Sequence, residues 1–272
     1  MTAVLYESPT IGIIGLGHFG KSLAQGIVNN TYSKVWATNR HPVIWDDDIM
    51  AKWVKLCDTN QDLLLECPII ILAVRPQDMT EVLTDIKDYD GLLISFAAGL
   101  PHSYYQSRVK GATVIRAMSN LGVAYGKGMT AWVGSEDIDS KTRWMVQSLF
   151  SDLGNSIQVD LENENHIDVV TALSGSGIAY LAHIFDTMKS VGVSQGMSEA
   201  ESELTVLETV SGVLAIFNST ELSLNDIVKG VASKGGTTEA GLNTMEEKGL
   251  KTALTQGLED TISKSNSFSN PN

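Results

Sequence analysis

Basic residues are scarce in this chain: 19 Lys and Arg face 32 Asp and Glu, leaving a formal net charge of −13 over 272 residues. That deficit argues against nucleic acid or an anionic membrane surface as the main partner, since both select cationic faces. A small anionic ligand is not excluded, because backbone dipoles and one or two local cations decide such a site. Cysteine is scarcer still. Cys57 and Cys67 are the only two, and they form neither a metal-ligand pattern nor a disulfide framework. No metal is expected. Long apolar runs are also missing. The longest, Pro68-Ile69-Ile70-Ile71-Leu72-Ala73-Val74, falls far short of the roughly 20 residues that span a bilayer. A secretory leader is not expected, because residues 1–10 contain Glu7 and Pro9 and no basic cluster. The expected compartment is the cytoplasm.

What is present is ordinary for a globular protein: 43% hydrophobic and 19% charged residues, and length enough for two domains with separate cores. The most informative stretch lies near the start. Ile11-Gly12-Ile13-Ile14 reads as a buried strand, Gly15-Leu16-Gly17-His18-Phe19-Gly20 as a glycine turn, and Lys21 onward as a helix. Strand, turn and helix opening form the context in which G-x-G-x-x-G marks a dinucleotide site. Gly15 suits the tight turn, Gly17 admits a pyrophosphate to the backbone, and Gly20 lets helix pack on strand. The alternative is a glycine-rich β–α turn without a ligand.

A second strand is expected at 34–38, ending in Asn39-Arg40-His41-Pro42. NAD enzymes usually place Asp or Glu here to take the ribose 2′-hydroxyl. This chain has Asn39 and Arg40 instead, and a guanidinium suits a 2′-phosphate. NADPH is therefore the expected cofactor, NADH the alternative, and a merely solvated Arg40 the competing reading.

Residues 45–58 give no clear element, and Asp46-Asp47-Asp48 reads as a solvated helix start. A short helix is expected at 59–66. The apolar run 68–74 should be a central parallel strand buried on both faces. It delivers Arg75-Pro76-Gln77 to the carboxyl edge of the sheet, where open α/β sheets bind ligands. A helix at 78–87, strands at 91–96, 113–116 and 129–133, a helix at 137–153 and a strand at 157–159 follow. The alternation predicts a Rossmann-type doubly wound α/β sheet with right-handed crossovers.

Beyond residues 160–165 no strand is expected, and apolar residues recur at helical spacing over 167–191, 198–217, 224–228 and 237–263. The expected organisation is a dinucleotide-binding domain over 1–162, an all-helical domain over 163–264 and a disordered tail over 265–272. The apolar helical stripes exceed what a lone bundle hides, so a homodimer or a ring of dimers is expected.

Two more glycine groups stand in the helical part. Ala172-Leu173-Ser174-Gly175-Ser176-Gly177-Ile178-Ala179-Tyr180 puts two glycines inside a helix, at a cost of about 1 kcal/mol each relative to alanine. Either something approaches closely there or the helix bends. Gly235-Gly236-Thr237-Thr238 reads as a helix start suited to a carboxylate, with an ordinary capped start as the alternative.

The order of these motifs resembles the pyrroline-5-carboxylate reductase family, NAD(P)H-dependent enzymes that complete proline synthesis. The similarity lies at Gly15-x-Gly17-x-x-Gly20, Asn60, Ala73-Val74-Arg75-Pro76-Gln77, Ser95-x-x-Ala98-Gly99, Arg116-x-Met118-x-Asn120, the run from Ala172 to Tyr180, and Gly235-Gly236-Thr237-Thr238. The chain departs from the family at Ser119, Ile178 and Lys234, where proline is usual. The resemblance implies hydride transfer from NADPH to the cyclic imine of 1-pyrroline-5-carboxylate, giving L-proline. It implies a cofactor held by Gly15, Leu16, Gly17, His18, Phe19 and Gly20 at the pyrophosphate and by Asn60 at the adenosine end, alongside Asn39 and Arg40. Ala73, Val74, Arg75 and Pro76 would border the nicotinamide, with Ala98, Gly99 and Asn120 also on the cofactor side. It implies a small imine or amino-acid substrate held by Ser174, Gly175, Gly177, Gly235, Gly236 and Thr237, with Thr238 and Ser176 as the catalytic pair. The helical domain would then be the dimerisation domain, its late turn supplied by the neighbouring subunit. Two alternatives stay open: a dehydrogenase for another imine or a hydroxy acid, and a non-catalytic NADP-binding dimer.

Overall fold

The computed structural model describes residues 9–31, 33–45 and 48–269. Asp46 and Asp47 of the acidic run lie outside them. The chain divides into two compact units, one formed by Met1–Ser176 with Asp260–Asn272 and the other by Gly177–Glu259.

In the first unit eight strands form one sheet: β1 (Ile11–Ile14), β2 (Val35–Thr38), β3 (Val54–Leu56), β4 (Ile69–Leu72), β5 (Leu92–Ser95), β6 (Thr113–Met118), β7 (Gly128–Gly134) and β8 (Gly154–Gln158). The spatial order is β3-β2-β1-β4-β5-β6-β7-β8. The chain therefore turns back between β1 and β4, and a crevice opens at the carboxyl ends of those two strands. The isoleucines explain why these strands are central. Ile11, Ile13, Ile69 and Ile71 enter one apolar cluster, while Ile14, Ile70 and Leu72 enter another on the opposite face. A strand apolar at every position is stable only when both faces are covered. Helices α1 (His18–Thr31), α2 (Asp48–Trp53), α3 (Asn60–Glu66), α4 (Met79–Asp85), α5 (His102–Gln106) and α6 (Ser140–Leu153) supply that cover.

The sheet departs from the uniformly wound expectation in one place. β6 and β7 pair antiparallel, Arg116 facing Val133. Only residues 119–127 connect them, folded as a short 3₁₀ turn (Leu121–Tyr125), and a parallel return needs a crossover of about a dozen residues or more. β8 is parallel to β7 because the 14-residue α6 provides that crossover. β3 and α5, neither of them expected, are three and five residues long.

Helical structure starts inside the first unit with α7 (His166–Val170) and a π-helical turn (Thr171–Gly175). Arg116, 2% exposed, anchors it: its guanidinium donates to Glu164 at 3.0 Å and to Asp168 at 2.8 Å. Compactness therefore runs past the boundary expected at 162–163. The segment from 265, expected as a disordered tail, is ordered as far as Ser269. Ser265 is buried and donates to Asp168 Oδ1 at 2.7 Å, and Ser269 donates to the Gly99 carbonyl at 3.0 Å. Those bonds offset the ordering cost that its polar composition alone could not.

The second unit is built from α8 (Gly177–Ser194), α9 (Glu199–Ser219), α10 (Leu224–Val231), α11 (Thr237–Glu247) and the first part of α12 (Leu250–Asn266). The run expected as one helix over 237–263 is two, divided at Lys248 and Gly249, where φ is +80°. α9 and α10 start in capping boxes, Ser198 with Glu201 and Ser223 with Asp226. Their hydroxyls and N–H groups hold both carboxyls below the ordinary range. Apolar side chains stay in the open: Leu204 and Val231 are 62% and 63% exposed, and Val206 is the one large apolar residue fully buried among this unit's described residues. The continuous run His166–Ser194 is long and apolar enough to cross a bilayer by length and composition alone. His183, Asp186 and Lys189 interrupt it, the last two paired at 3.5 Å.

Candidate active site

A cleft of about 670 Å³ opens at the carboxyl ends of β1, β2 and β4, the topological switch point. The three glycines of its first loop owe their presence to three different constraints. Gly15 has φ +100°, and a Cβ there would lie 2.7 Å from Val74 Cγ1 and 2.9 Å from the Ala73 carbonyl oxygen. Gly20 has no room for one: its Cβ would meet the Gly15 carbonyl oxygen at 2.0 Å. Gly17 is under neither constraint. Nothing lies within 4 Å of a Cβ built on it, and it faces the cleft. The fold does not need glycine there, but a pyrophosphate approaching the backbone does, so these residues fit a dinucleotide.

The end of β2 is tied to that loop. The Leu16 N–H donates to Asn39 Oδ1 at 2.9 Å, and Asn39 Nδ2 donates to the His41 carbonyl at 2.8 Å. Asn39 thus braces two loops with both ends of its amide. Arg40 leans across the cleft mouth to α4, pairing with Asp78 at 3.3 Å and Glu81 at 2.8 Å. Arg75 donates to the other Asp78 oxygen at 3.1 Å. Asn60 accepts from Thr38 Oγ1 at 2.6 Å and donates to Asp85 at 3.1 Å. Its helix α3 starts in a capping box, where the Thr59 hydroxyl and N–H hold the Asp62 carboxyl below its ordinary value. Gly15, Gly17, Asn39, Arg40, Asn60, Ala73, Val74 and Arg75 therefore share one cleft, as the sequence suggested.

The other expected cofactor residues stand elsewhere. Leu16 is buried in the core, and Phe19 packs on Phe96 with ring centroids 5.1 Å apart. His18 is exposed at the start of α1, and Pro76 opens a 3₁₀ turn. Ala98 packs against a small cluster around Met118. Gly99, at φ +76°, makes room for the C-terminal segment: a Cβ there would lie 2.1 Å from the Ser265 carbonyl oxygen. Asn120 caps the 3₁₀ turn through Oδ1 and donates to Ser174 Oγ at 2.7 Å. Sequence reasoning missed the far wall of the cleft, where Asp78, Glu81 and Asp85 stand. Their spacing of three and four residues on the helix after the central strand was the available signal.

The second glycine group coincides with the π-helical turn, closed by the Ser176 N–H to the Thr171 carbonyl at 2.8 Å. Gly175 lies in that turn and Gly177 opens α8, and π-turns of this kind often mark functional sites. Ser174 accepts from Asn120 and donates to the Met129 carbonyl at 3.2 Å. The Ser176 hydroxyl makes no hydrogen bond among the described residues. In the second unit, Gly236 is the N-cap of α11 and the Gly235 N–H donates to Glu239 Oε2 at 2.6 Å. Thr237 is exposed and Thr238 half-buried, and the Thr238 hydroxyl caps nothing and has no partner among the described residues.

Comparison with known proteins agrees with this arrangement. Residues 164–268 match the family described as pyrroline-5-carboxylate reductase dimerisation, and residues 10–99 match the one described as NADP oxidoreductase, coenzyme F420-dependent. A pyrroline-5-carboxylate reductase of Aquifex aeolicus is 29% identical over 261 residues, 93% of this chain and 95% of that protein. One from Methanosarcina acetivorans is 28% identical, over 91% of this chain and 93% of the relative. The crystal structure of a Plasmodium falciparum pyrroline carboxylate reductase with NADP bound superposes with a TM-score of 0.89 at 26% identity, covering 97% of this chain and 99% of that one. Its relatives, over nearly the whole chain, are pyrroline-5-carboxylate reductases.

As a pyrroline-5-carboxylate reductase relative, it accommodates its departures locally. Ser119 is 3% exposed, and its hydroxyl pairs with Thr130 Oγ1 at 2.9 Å, so the buried polar atom is satisfied inside the sheet. Ile178 and Lys234 are both exposed.

Proposed function

We infer that this protein is an NADPH-dependent pyrroline-5-carboxylate reductase, reducing the cyclic imine of 1-pyrroline-5-carboxylate to L-proline. The observation that carries the reading is the cleft at the β1–β4 switch point, where Gly17 leaves backbone open to a pyrophosphate and Arg40 stands beside the ribose position. NADPH bound there supplies the hydride.

The protein's own residues bind and orient. The turn from Gly15 to Gly20, with Leu16, His18 and Phe19, shapes the pyrophosphate site, and the N–H groups at the start of α1 meet the anion. Arg40 takes the 2′-phosphate, and Asn60, fixed by Thr38 and Asp85, borders the adenosine end. Ala73, Val74, Arg75 and Pro76 follow the nicotinamide side, with Ala98, Gly99 and Asn120 behind. Ser174, Gly175 and Gly177 hold the substrate together with Gly235, Gly236 and Thr237 of the neighbouring subunit, whose α11 offers free N–H groups to the substrate carboxylate. Ser176 and Thr238 supply uncommitted hydroxyls, and Thr238 orients the imine nitrogen and helps a proton arrive there. Holding imine carbon and hydride donor together accounts for most of the acceleration. The dimerisation family over 164–268 accounts for the exposed apolar helices, and the working assembly is a homodimer or a ring of such dimers in the cytoplasm, without nucleic-acid or membrane partners.

The test is the loss of NADPH absorbance with pyrroline-5-carboxylate as substrate. Turnover that yields proline supports the reading. Inactivity with this imine while NADPH still binds tightly overturns the substrate assignment.

A further inference from the structure

Arg40, which the proposed function assigns to the 2′-phosphate, is already engaged. Its Nη1 lies 3.3 Å from Asp78 and its Nη2 lies 2.8 Å from Glu81. The two carboxylates differ. Asp78 has a side chain only 21% exposed and is shared, giving its second oxygen to Arg75 at 3.1 Å. It is a fixed strap between two arginines. Glu81 has a side chain 72% exposed, and its carboxylate holds Arg40 alone. The cleft as a whole is acidic: Asp58, Asp78, Glu81 and Asp85 face Arg40 and Arg75, which leaves it two negative charges in excess.

We propose that Glu81 is an intramolecular counter-ion that the 2′-phosphate must displace from Arg40, so that this α4 carboxylate sets how strongly the protein prefers NADPH to NADH. The inference rests on the assignment of Arg40 to the 2′-phosphate. A phosphate monoester carries about −1.5 to −2 charges and accepts two parallel guanidinium N–H bonds, whereas Glu81 carries one charge and accepts a single bond from Arg40. Glu81 gives way to solvent easily, because an exposed ion pair is weak. NADH brings no such group, so Arg40 stays on Glu81 while NADH binds. The cost of opening the pair therefore falls on NADPH alone.

Dissociation constants for NADPH and NADH, measured by coenzyme fluorescence on the full-length protein, test this for Glu81→Gln. Removing the counter-ion should tighten NADPH about two- to five-fold, the scale of an exposed ion pair, with the NADH constant as the internal reference. An unchanged NADPH:NADH ratio overturns the proposal, as does an equal shift of both constants. Arg40→Ala, run in parallel, separates this inference from the reading beneath it. If Arg40→Ala leaves the ratio unchanged, Arg40 does not take the 2′-phosphate and both fail. If it weakens NADPH selectively while Glu81→Gln changes nothing, only the counter-ion role fails. In the Arg40→Ala background Glu81→Gln should lose its effect, and an undiminished gain there would assign it to a general field and overturn the proposal.

Discussion

Two alanine substitutions three residues apart should have opposite consequences. At Gly20 the added methyl would sit 2.0 Å from the Gly15 carbonyl oxygen, a backbone atom held by the Gly15 N–H bond to the Thr38 carbonyl at 2.9 Å. The clash can be relieved only by moving α1 off β1, so Gly20→Ala should cost at least the roughly 1–3 kcal/mol typical of overpacking. At Gly17 a methyl meets nothing within 4 Å, and the residue is not among the positive-φ glycines. Its carbonyl accepts the Lys21 N–H at 2.9 Å, which alanine preserves. Gly17→Ala should change stability by less than about 1 kcal/mol, a reduced unfolded-state entropy offsetting a slightly poorer cap.

Binding should show the reverse. The Gly17 methyl would occupy the path of the pyrophosphate, and losing one charge-assisted bond costs about 1.5–3 kcal/mol, or roughly 10- to 150-fold in affinity. NADPH and NADH share that group, so both should weaken alike. Thermal melts and coenzyme titrations on the two variants suffice. A Gly17→Ala protein that melts as early as Gly20→Ala, or that binds both coenzymes normally, would refute the assignment of Gly17 to a ligand.

Three other outcomes are expected. Thr238→Ala should cut turnover about 10- to 100-fold, the scale of one oriented hydrogen bond in the transition state, and leave the melting temperature in place because the α11 cap is Gly236; lost stability with normal turnover would contradict the catalytic role. Arg116→Ala should destabilise by about 3–5 kcal/mol in urea unfolding, since it strands the Asp168 carboxylate and leaves Glu164 without its cation; a cost below about 1 kcal/mol would show that the buried pairs contribute little. Alkali should destabilise the fold, because burial pushes the Cys67 thiol up from 9.0 to about 12 and raises the Tyr89 and Tyr105 hydroxyls. The folded state favours their protonated forms, so their contribution is complete below pH 9 and lost progressively above it. Melting temperatures from pH 8 to 11 check this, and a flat profile refutes it.

Much of the first unit was legible because its central strands report burial directly. Ile69, Ile70, Ile71 and Leu72, a short run apolar throughout and mostly β-branched, read as a strand covered on both faces, and that strand with β1 locates the cleft. What could not be read depended on partners far along the chain. Ser265 and Ser269 look like tail residues in any local window, yet they bond to Asp168 and Gly99, 97 and 170 positions away. Arg116 inside a strand gave no hint that Glu164 and Asp168 would hold the first helical turns to the sheet. The antiparallel β7 was readable in principle, since the connection over 119–127 is too short to cross over. β3 and α5 were not, because three or five residues carry too little periodicity to register.

The glycines mark where reading a sequence stops and structure must take over. In sequence, Gly15, Gly17, Gly20 and Gly99 say the same thing, that a side chain is unwelcome. The reasons differ, and only two of the four depend on backbone conformation: Gly15 and Gly99 sit at φ +100° and +76°. Gly20 is small because a carbonyl lies against it, and Gly99 also because the C-terminal segment does. The family motif puts Gly99 on the cofactor side, and the Ser265 carbonyl 2.1 Å from its would-be Cβ gives that glycine a cause within the chain as well. Gly17 has no such cause. Of these four it alone is left without a cause in the fold; it faces the cleft at the switch point, and a bound pyrophosphate is what gives its smallness a purpose.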